Sequence, residues 1–486
     1  MLQPFSSIPG PLPDKDQGWV GNLIRASADP FRYTMDLRAN YANIAAFVQG
    51  GNGNFLFPAE DCAGTVIVFG EENNRRVMTE THVFHSGPII GPVYARWQDD
   101  PQKVVLKRVG TGLFSLNDGV HQQHRRLLMP AFHRQQISKY ADEMVTITNR
   151  LLNHLEPDSQ IDFQRLMFSH TLTVAGKTLF GQDFEGQADS IGMRIQEWLE
   201  LIPDVSIDAT DGEGTPYRRF FQLSLEIDDQ IRDLIHYKRQ HPHDTNDVLA
   251  ALIHIRDEQN GLLSEDDLIG HINILLTAGH ETTANAISWT VFLLTQHPEI
   301  AKQVVEELDA VLGDGEIQFE ALPKLVVLDR VIKESLRILP PVTMGSRITA
   351  QETDLSGYHI PANTEVVFSH YCAHHDADVF ANPERFITDR WLTISPSAYQ
   401  YFPFSAGVRM CLGVSFAQTE LKIVLASLLR KFRFEFVAGS KIDRMVWVPL
   451  RPNHMPMIVR EQDYKFEQSV GEVRGNILEM VDFTRG

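Results

Sequence analysis

From about residue 135 onward apolar residues recur at helical spacing, as in Ile137, Tyr140, Met144, Ile147, Leu151 and Leu155, and such segments continue to about Leu339. The middle of the chain is therefore expected to be helical. Before it, a Pro- and Gly-rich stretch to Pro13 reads as an extended arm, and β-prone runs at 43–48 and 65–69 read as strands. Strand content is expected to be modest and early. The polar, acidic stretch 206–216 interrupts the helical pattern and reads as a mobile surface loop, of the kind that often serves as a lid.

The longest helix is expected to start at Ser264, whose hydroxyl caps the first turn with Asp267 three residues on, and to run to about Gln296. At about 1.5 Å per residue it spans roughly 50 Å. Apolar on nearly all sides between Ile269 and Leu294, it must cross the body of the molecule, yet polar residues sit at its middle. After Leu339-Pro340-Pro341 the pattern turns to β, with a turn at 357–364 before a strand at 365–368. An irregular, proline-rich region follows at about 376–408. A last strong helix begins just after Cys411 and continues through Phe416, Leu421, Val424 and Leu428.

The 486 residues, 43% of them apolar, suffice for a large core. A net charge of −19 repels phosphate backbones and anionic lipid, which argues against nucleic-acid binding. Three scattered cysteines, Cys62, Cys372 and Cys411, form no disulfide framework. The opening residues lack a basic region followed by an apolar one, and the most apolar long segment, 271–295, is broken by His280 and Glu281. The expectation is a soluble, cytoplasmic, monomeric protein without a transmembrane anchor.

The stretch from Phe404 to Gly413 reads F-S-A-G-V-R-M-C-L-G and places Cys411 at the mouth of a helix, where N–H groups and the positive dipole end favour a thiolate. That is how a metal-ligating sulfur is held. Gly407 and Gly413 let backbone approach a flat ligand, and Arg409 offers a cation to an acidic group. A lone cysteine there would read as a buried structural residue, but the spacing of the whole segment reverses that. His280-Glu281 does not open a metalloprotease H-E-x-x-H, because position 284 is Ala284.

The segment resembles the haem-binding signature of the cytochrome P450 family, matched by Phe404, Gly407, Arg409, Cys411 and Gly413. Three further stretches resemble that family in the expected order. Ala278-Gly279-His280-Glu281-Thr282-Thr283 resembles its oxygen-activation motif, Glu334 and Arg337 its Glu-x-x-Arg, and F-A-N-P-E-R-F at 380–386 supplies Arg385. The resemblance covers residues 1–463 as one haem domain. It leaves 464–486 as a C-terminal extension, for which a solvated tail is the default.

The resemblance implies a mainly α fold with small β-sheets, including a β-rich lobe near the N-terminus. Haem b would be buried between the long helix and the helix following Cys411, the iron ligand, with Phe404, Gly413, Ala278 and Gly279 beside it. The implied enzyme is a monooxygenase that inserts one oxygen atom from O2 into a lipophilic small molecule, such as a fatty acid or terpenoid. Its electrons would come from a ferredoxin and a ferredoxin reductase. Glu281 and Thr282 are the implied catalytic pair, Thr282 holding a water in an opened helix turn and Glu281 relaying protons.

Glu334, Arg337 and Arg385 are the implied structural triad. His121, Arg125, Arg347 and Arg409 are the candidates for the haem propionates, with His124 and Arg126 as solvated neighbours. The implied pocket is lined by the loop 84–114, Ile274, Val342, Thr343, Met344 and Trp447. Arg125, Arg126 and Lys422 are the basic residues expected to meet an acidic ferredoxin. The rival readings are a peroxide-driven or isomerising haem-thiolate enzyme and a non-catalytic haem sensor, against which the Glu281-Thr282 pair counts.

Overall fold

A helix of 32 residues, Glu265–Gln296, runs through the centre of the computed structural model. The structure describes residues 2–49, 55, 62–87, 104–182, 191–241, 247–254, 256–257, 261–445, 449–469 and 473–483. Ser264 caps the helix, its Oγ accepting from the Asp267 N–H at 3.1 Å. Most of its side chains are buried, which fits an apolar pattern without a solvent face. It packs most extensively on the helix Phe163–Phe180, and also touches Val104–Gly110, Val326–Ile338 and Val414–Lys431. The last of these, which follows the cysteine, is covered in turn by Arg134–His154. The residues expected at helical spacing in that segment, Ile137, Tyr140, Met144 and Ile147, are buried in the main core.

Strands are short and a minor share of the fold, as expected, but they are not confined to the start of the chain. A five-stranded sheet has the order Ile44–Gln49, Gly64–Val68, Thr364–Ser369, Met344–Thr349, Phe84–His85, so the early strands pair with strands from the last third. The join is parallel, Val66 opposite Val366, and the remaining pairs are antiparallel. The β-lobe is therefore built from both ends of the fold. The left-handed backbone of Asn363, φ 58, closes the turn into Thr364–Ser369, a conformation that asparagine tolerates. A second sheet of Phe432–Phe436, Pro456–Glu461 and Gln160–Asp162 lies elsewhere. The loop before the helix Pro216–Gln240 spans 208–215, the preceding helix Ile191–Ile207 reaching further than the sequence pattern suggested.

The extension is not a solvated tail. Ile477, Met480 and Val481 are fully buried, and Phe483 sits edge-on to Phe292 of the central helix. Arg444 pairs with both Asp29 and Glu479, and the Asp482 N–H donates to Glu384 O at 2.8 Å. Enough apolar side chains alternate through this short segment to outweigh the cost of ordering it.

Candidate active site

The cysteine loop is tied at its base, the Cys411 N–H donating to Phe404 O at 2.8 Å. Phe404 and Leu412 anchor it on the main core. Gly407 is required for a reason other than ligand approach: its φ is +69°, and a Cβ there would lie 2.6 Å from Met78 O. Around Gly413 and Gly279, by contrast, the position a Cβ would take is open. Cys62 and Cys372 are buried, whereas the Cys411 side chain is accessible although protein surrounds it on most sides. That burial pushes its thiol up, against the opposing pull of the Gly413 N–H and the Arg125 charge. Burial and the helix mouth therefore pull the thiol in opposite directions, and a bound cation would favour the thiolate.

The four residues read as propionate partners come together. His121 is buried and held neutral, its pKa lowered to about 4 by burial and then by the charges of Arg409, Arg125 and Arg347. Burial lowers Arg347 to about 9 and Arg409 to about 10. Arg409 Nη2 donates to Leu116 O at 2.5 Å and to Asn117 Oδ1 at 2.6 Å, while Arg347 Nη1 donates to Ser346 O at 2.7 Å. The buried Nε atoms of both have no hydrogen-bond partner among the described residues. None of the three arginines forms an ion pair among the described residues. Asp118 offsets part of the repulsion on Arg409, but three guanidinium groups with no carboxylate bonded to them remain a costly arrangement among the described residues, relieved by a ligand carrying acidic groups. This donor set, with an accessible thiol beside Arg125, fits haem and its two propionates. His370, fully buried beside Arg347, and Asn117 belong to the same surroundings and carried no signal in the sequence.

The helix is continuous through its polar middle. Thr282 Oγ1 donates to Ala278 O at 2.8 Å and Thr283 Oγ1 to Gly279 O at 2.9 Å, the back-bonds by which such hydroxyls weaken a helix turn. Ala278 and Gly279 are half-buried. Glu281 is held by Arg451, whose Nη1 lies 3.4 Å from Oε1, and burial raises its pKa. His280 turns the other way, its Nδ1 bonded to Leu276 O at 2.7 Å and its ring edge-on to Phe168.

The structural triad differs from the expected one. Glu334 Oε1 accepts from Arg337 Nη2 at 2.9 Å, Arg390 Nε at 2.9 Å and the Ile387 N–H at 3.0 Å. Its Oε2 accepts from Arg337 Nε and Trp391 Nε1, each at 3.0 Å. The third member is Arg390. Arg385 contributes only its carbonyl, which accepts from Arg337 Nη2 at 3.1 Å, and its side chain pairs with Asp482. The turn at Asn382, φ 49, followed by Pro383, presents the main chain of this stretch to the buried arginines.

Ile274 is buried and packs at Gly112, Thr343 and Met344 are buried, and Val342 is half-buried. Trp447 and residues 88–103 of the expected lining loop lie outside the described residues. His124 is not solvated: its Nδ1 meets Nε2 of His271 on the central helix at 2.9 Å, both rings buried. Lys422 is not available to a partner either, being bound to Asp329 at 2.9 Å with its side chain 15% exposed. Arg125 belongs to the cation cluster.

The fold and the cysteine-centred cation cluster define a haem-thiolate protein. Residues 76–453 match the family model Cytochrome P450, and the chain belongs to the cytochrome P450 family. It is 31% identical over 400 residues to cyclooctatin synthase of Streptomyces melanosporofaciens, covering 79% of this chain and 83% of that one. To pentalenene oxygenase of Streptomyces avermitilis it is 29% identical over 369 residues, covering 74% and 79%. The fold superposes on retinoic acid bound cyanobacterial CYP120A1 with a TM-score of 0.79 at 23% identity, covering 94% of this chain and 100% of that chain. The protein is a cytochrome P450 monooxygenase with a haem cofactor, acting on a substrate and O2 with a redox partner. No helix among the described residues is long and apolar enough to cross a membrane.

Proposed function

We propose that the enzyme hydroxylates a hydrocarbon-rich terpenoid or fatty acid, with Cys411 as the one protein ligand of a b-type haem. The observation that carries the substrate class is the pair of relatives named for cyclooctatin and pentalenene, joined by the apolar character of Ile274, Val342 and Met344. A b-type haem is supported by the absence of C-x-x-C-H anywhere in the sequence. Bound haem supplies the oxygen-activating chemistry, which thiolate ligation promotes.

The chain's own residues do the rest. Arg125, Arg347 and Arg409 neutralise the propionates, the neutral His121 ring offers them a hydrogen bond, and Phe404 and Gly413 shape the cysteine loop. Thr282, on a turn weakened by its own back-bond, holds a water, and Glu281 passes protons to it. Electrons come from a ferredoxin and its reductase. With Lys422 occupied and Val408 and Met410 exposed on either side of Arg409, docking joins apolar contact to a smaller ionic share than the sequence suggested. A cytoplasmic enzyme is part of this reading and is supported by three free cysteines.

The test is a spin-state titration of the purified holoenzyme against sesquiterpene and diterpene hydrocarbons, fatty acids and small polar alcohols. A saturable shift with the first or second group supports the proposal. A shift confined to the polar compounds overturns the substrate class.

A further inference from the structure

Arg451 sits on a stretch whose main chain is pinned to the central helix. The Leu450 N–H donates to Pro341 O at 2.8 Å, Leu450 O accepts from Trp289 Nε1 at 3.2 Å, and the Met445 N–H donates to Arg451 O at 2.8 Å. Trp289 lies about two turns beyond Glu281 on the same helix. The backbone bearing Arg451 is thereby held in fixed register with the helix that carries the acid.

From that anchor the guanidinium makes one ion pair among the described residues, Nη1 to Glu281 Oε1 at 3.4 Å, and it is likewise the only ion pair of Glu281 there. A single long contact differs from a two-pronged fork: it aims the carboxylate without locking both oxygens. The acid is 14% exposed and the arginine 30%, so the pair joins a nearly buried group to one that solvent reaches. A second charge acts on the site from another element. Glu200, exposed on the helix Ile191–Ile207, repels the Glu281 carboxylate and favours its neutral form, as burial does, while Arg451 favours the charged form.

We propose that Arg451 is a positioning residue for proton delivery, its guanidinium fixing the resting place of the Glu281 carboxylate through the contact at 3.4 Å. The step is a proton transfer alone. Glu281 accepts a proton from solvent on the Arg451 side and passes it toward water at the Thr282 hydroxyl, ending each cycle ionised. The proposal rests on the Glu281-Thr282 relay and names what sets its aim.

The experiment compares wild-type holoenzyme with Arg451→Gln, Arg451→Lys, Glu200→Gln and Glu281→Gln. Electrons come from a plant-type ferredoxin with its NADPH-dependent reductase. The probe is whichever fatty acid or sesquiterpene hydrocarbon gives the largest spin-state shift, and NADPH consumption is also read without it. Arg451→Gln is expected to slow turnover roughly tenfold while leaving the spin-shift dissociation constant within about twofold. Its acidic pH limb should move to higher pH, because the remaining influences favour the neutral acid. Arg451→Lys should restore most of the rate, and Glu200→Gln should move the limb to lower pH. Turnover driven by added hydrogen peroxide, which brings its own protons, should change little in Arg451→Gln. If Glu281→Gln is slow but Arg451→Gln keeps the wild-type rate and pH profile, the positioning role is wrong and the relay stands. If Glu281→Gln itself is unimpaired, the relay falls and this proposal with it.

Discussion

Arg385 donates from Nε to Asp482 at 3.3 Å, which joins the irregular region before the cysteine to the last residues of the fold. The buried acid Glu334 is left to Arg337 and Arg390. The two arginines should therefore behave differently on removal. Arg390→Ala strips a cation from a fully buried carboxylate and is expected to cost about 3–5 kcal/mol, with poor haem retention. Arg385→Ala breaks a half-exposed pair worth about 1 kcal/mol or less and should retain haem. The haem-to-protein absorbance ratio and thermal midpoint of each variant measure this, and equal damage in both would contradict the assignment.

Residues beyond 463 should be needed for stability. Burial of Ile477, Met480 and Val481 contributes about 1.5–3 kcal/mol each as an upper figure. A chain ended at residue 463 should melt well below the full chain, whereas Asp482→Asn, which keeps the apolar anchors, should melt within a few degrees of it. An unchanged midpoint in the truncated chain would mean that the docked extension contributes nothing.

The protein should lose stability on mild acidification. Burial lowers His170, His271 and His280 to about 4 and His370 and His375 to about 3, against an ordinary 6.5. Below 6.5 the unfolded chain binds protons that the folded one refuses, so stability is complete above that pH and falls as pH drops toward 4. Each histidine contributes at most about 1.4 kcal/mol per pH unit in that window. Burial of Glu281 and Glu420 acts in the opposite sense, but five histidines outnumber two carboxyls. Urea midpoints should fall modestly from pH 7.5 to 6.5 and steeply from 6.5 to 5.5. A flat profile would show that these rings are not kept neutral by the fold.

Thr282→Ala should change the fate of oxygen more than the stability of the protein. The hydroxyl back-bonds to Ala278 O and fills little apolar volume, so the substitution should cost about 1 kcal/mol or less. NADPH consumption should stay comparable while hydrogen peroxide rises and hydroxylated product falls. Full coupling in this variant would reduce the motif to a helix feature without a role in proton delivery.

The central helix was legible because its cap, its apolar circumference and its polar middle are all local. So was the cysteine loop, whose chemistry depends on spacing within ten residues. The pairing of Gly64–Val68 with Thr364–Ser369 was not, because nothing within either strand specifies a partner about 300 residues away. Choosing Arg390 over Arg385 needed the path of an irregular segment turning at Asn382, which has no periodicity to read. Gly407 was assigned to a ligand when it answers to the Met78 carbonyl, and His124 to solvent when it answers to His271. In both cases the contact comes from a distant element. The four propionate candidates converged as the family resemblance implied, but the sequence held no sign of Asn117 or His370 beside them.

The account rests on Cys411 as the thiolate ligand of haem, and the carbon monoxide difference spectrum of the reduced holoenzyme tests it most directly. Wild-type protein should show the strongly red-shifted Soret band of a thiolate-ligated haem. Cys411→Ser should lose it, while Cys62→Ser and Cys372→Ser keep it. An unshifted, histidine-like band in the wild type, or a shifted band that survives Cys411→Ser, would contradict the assignment.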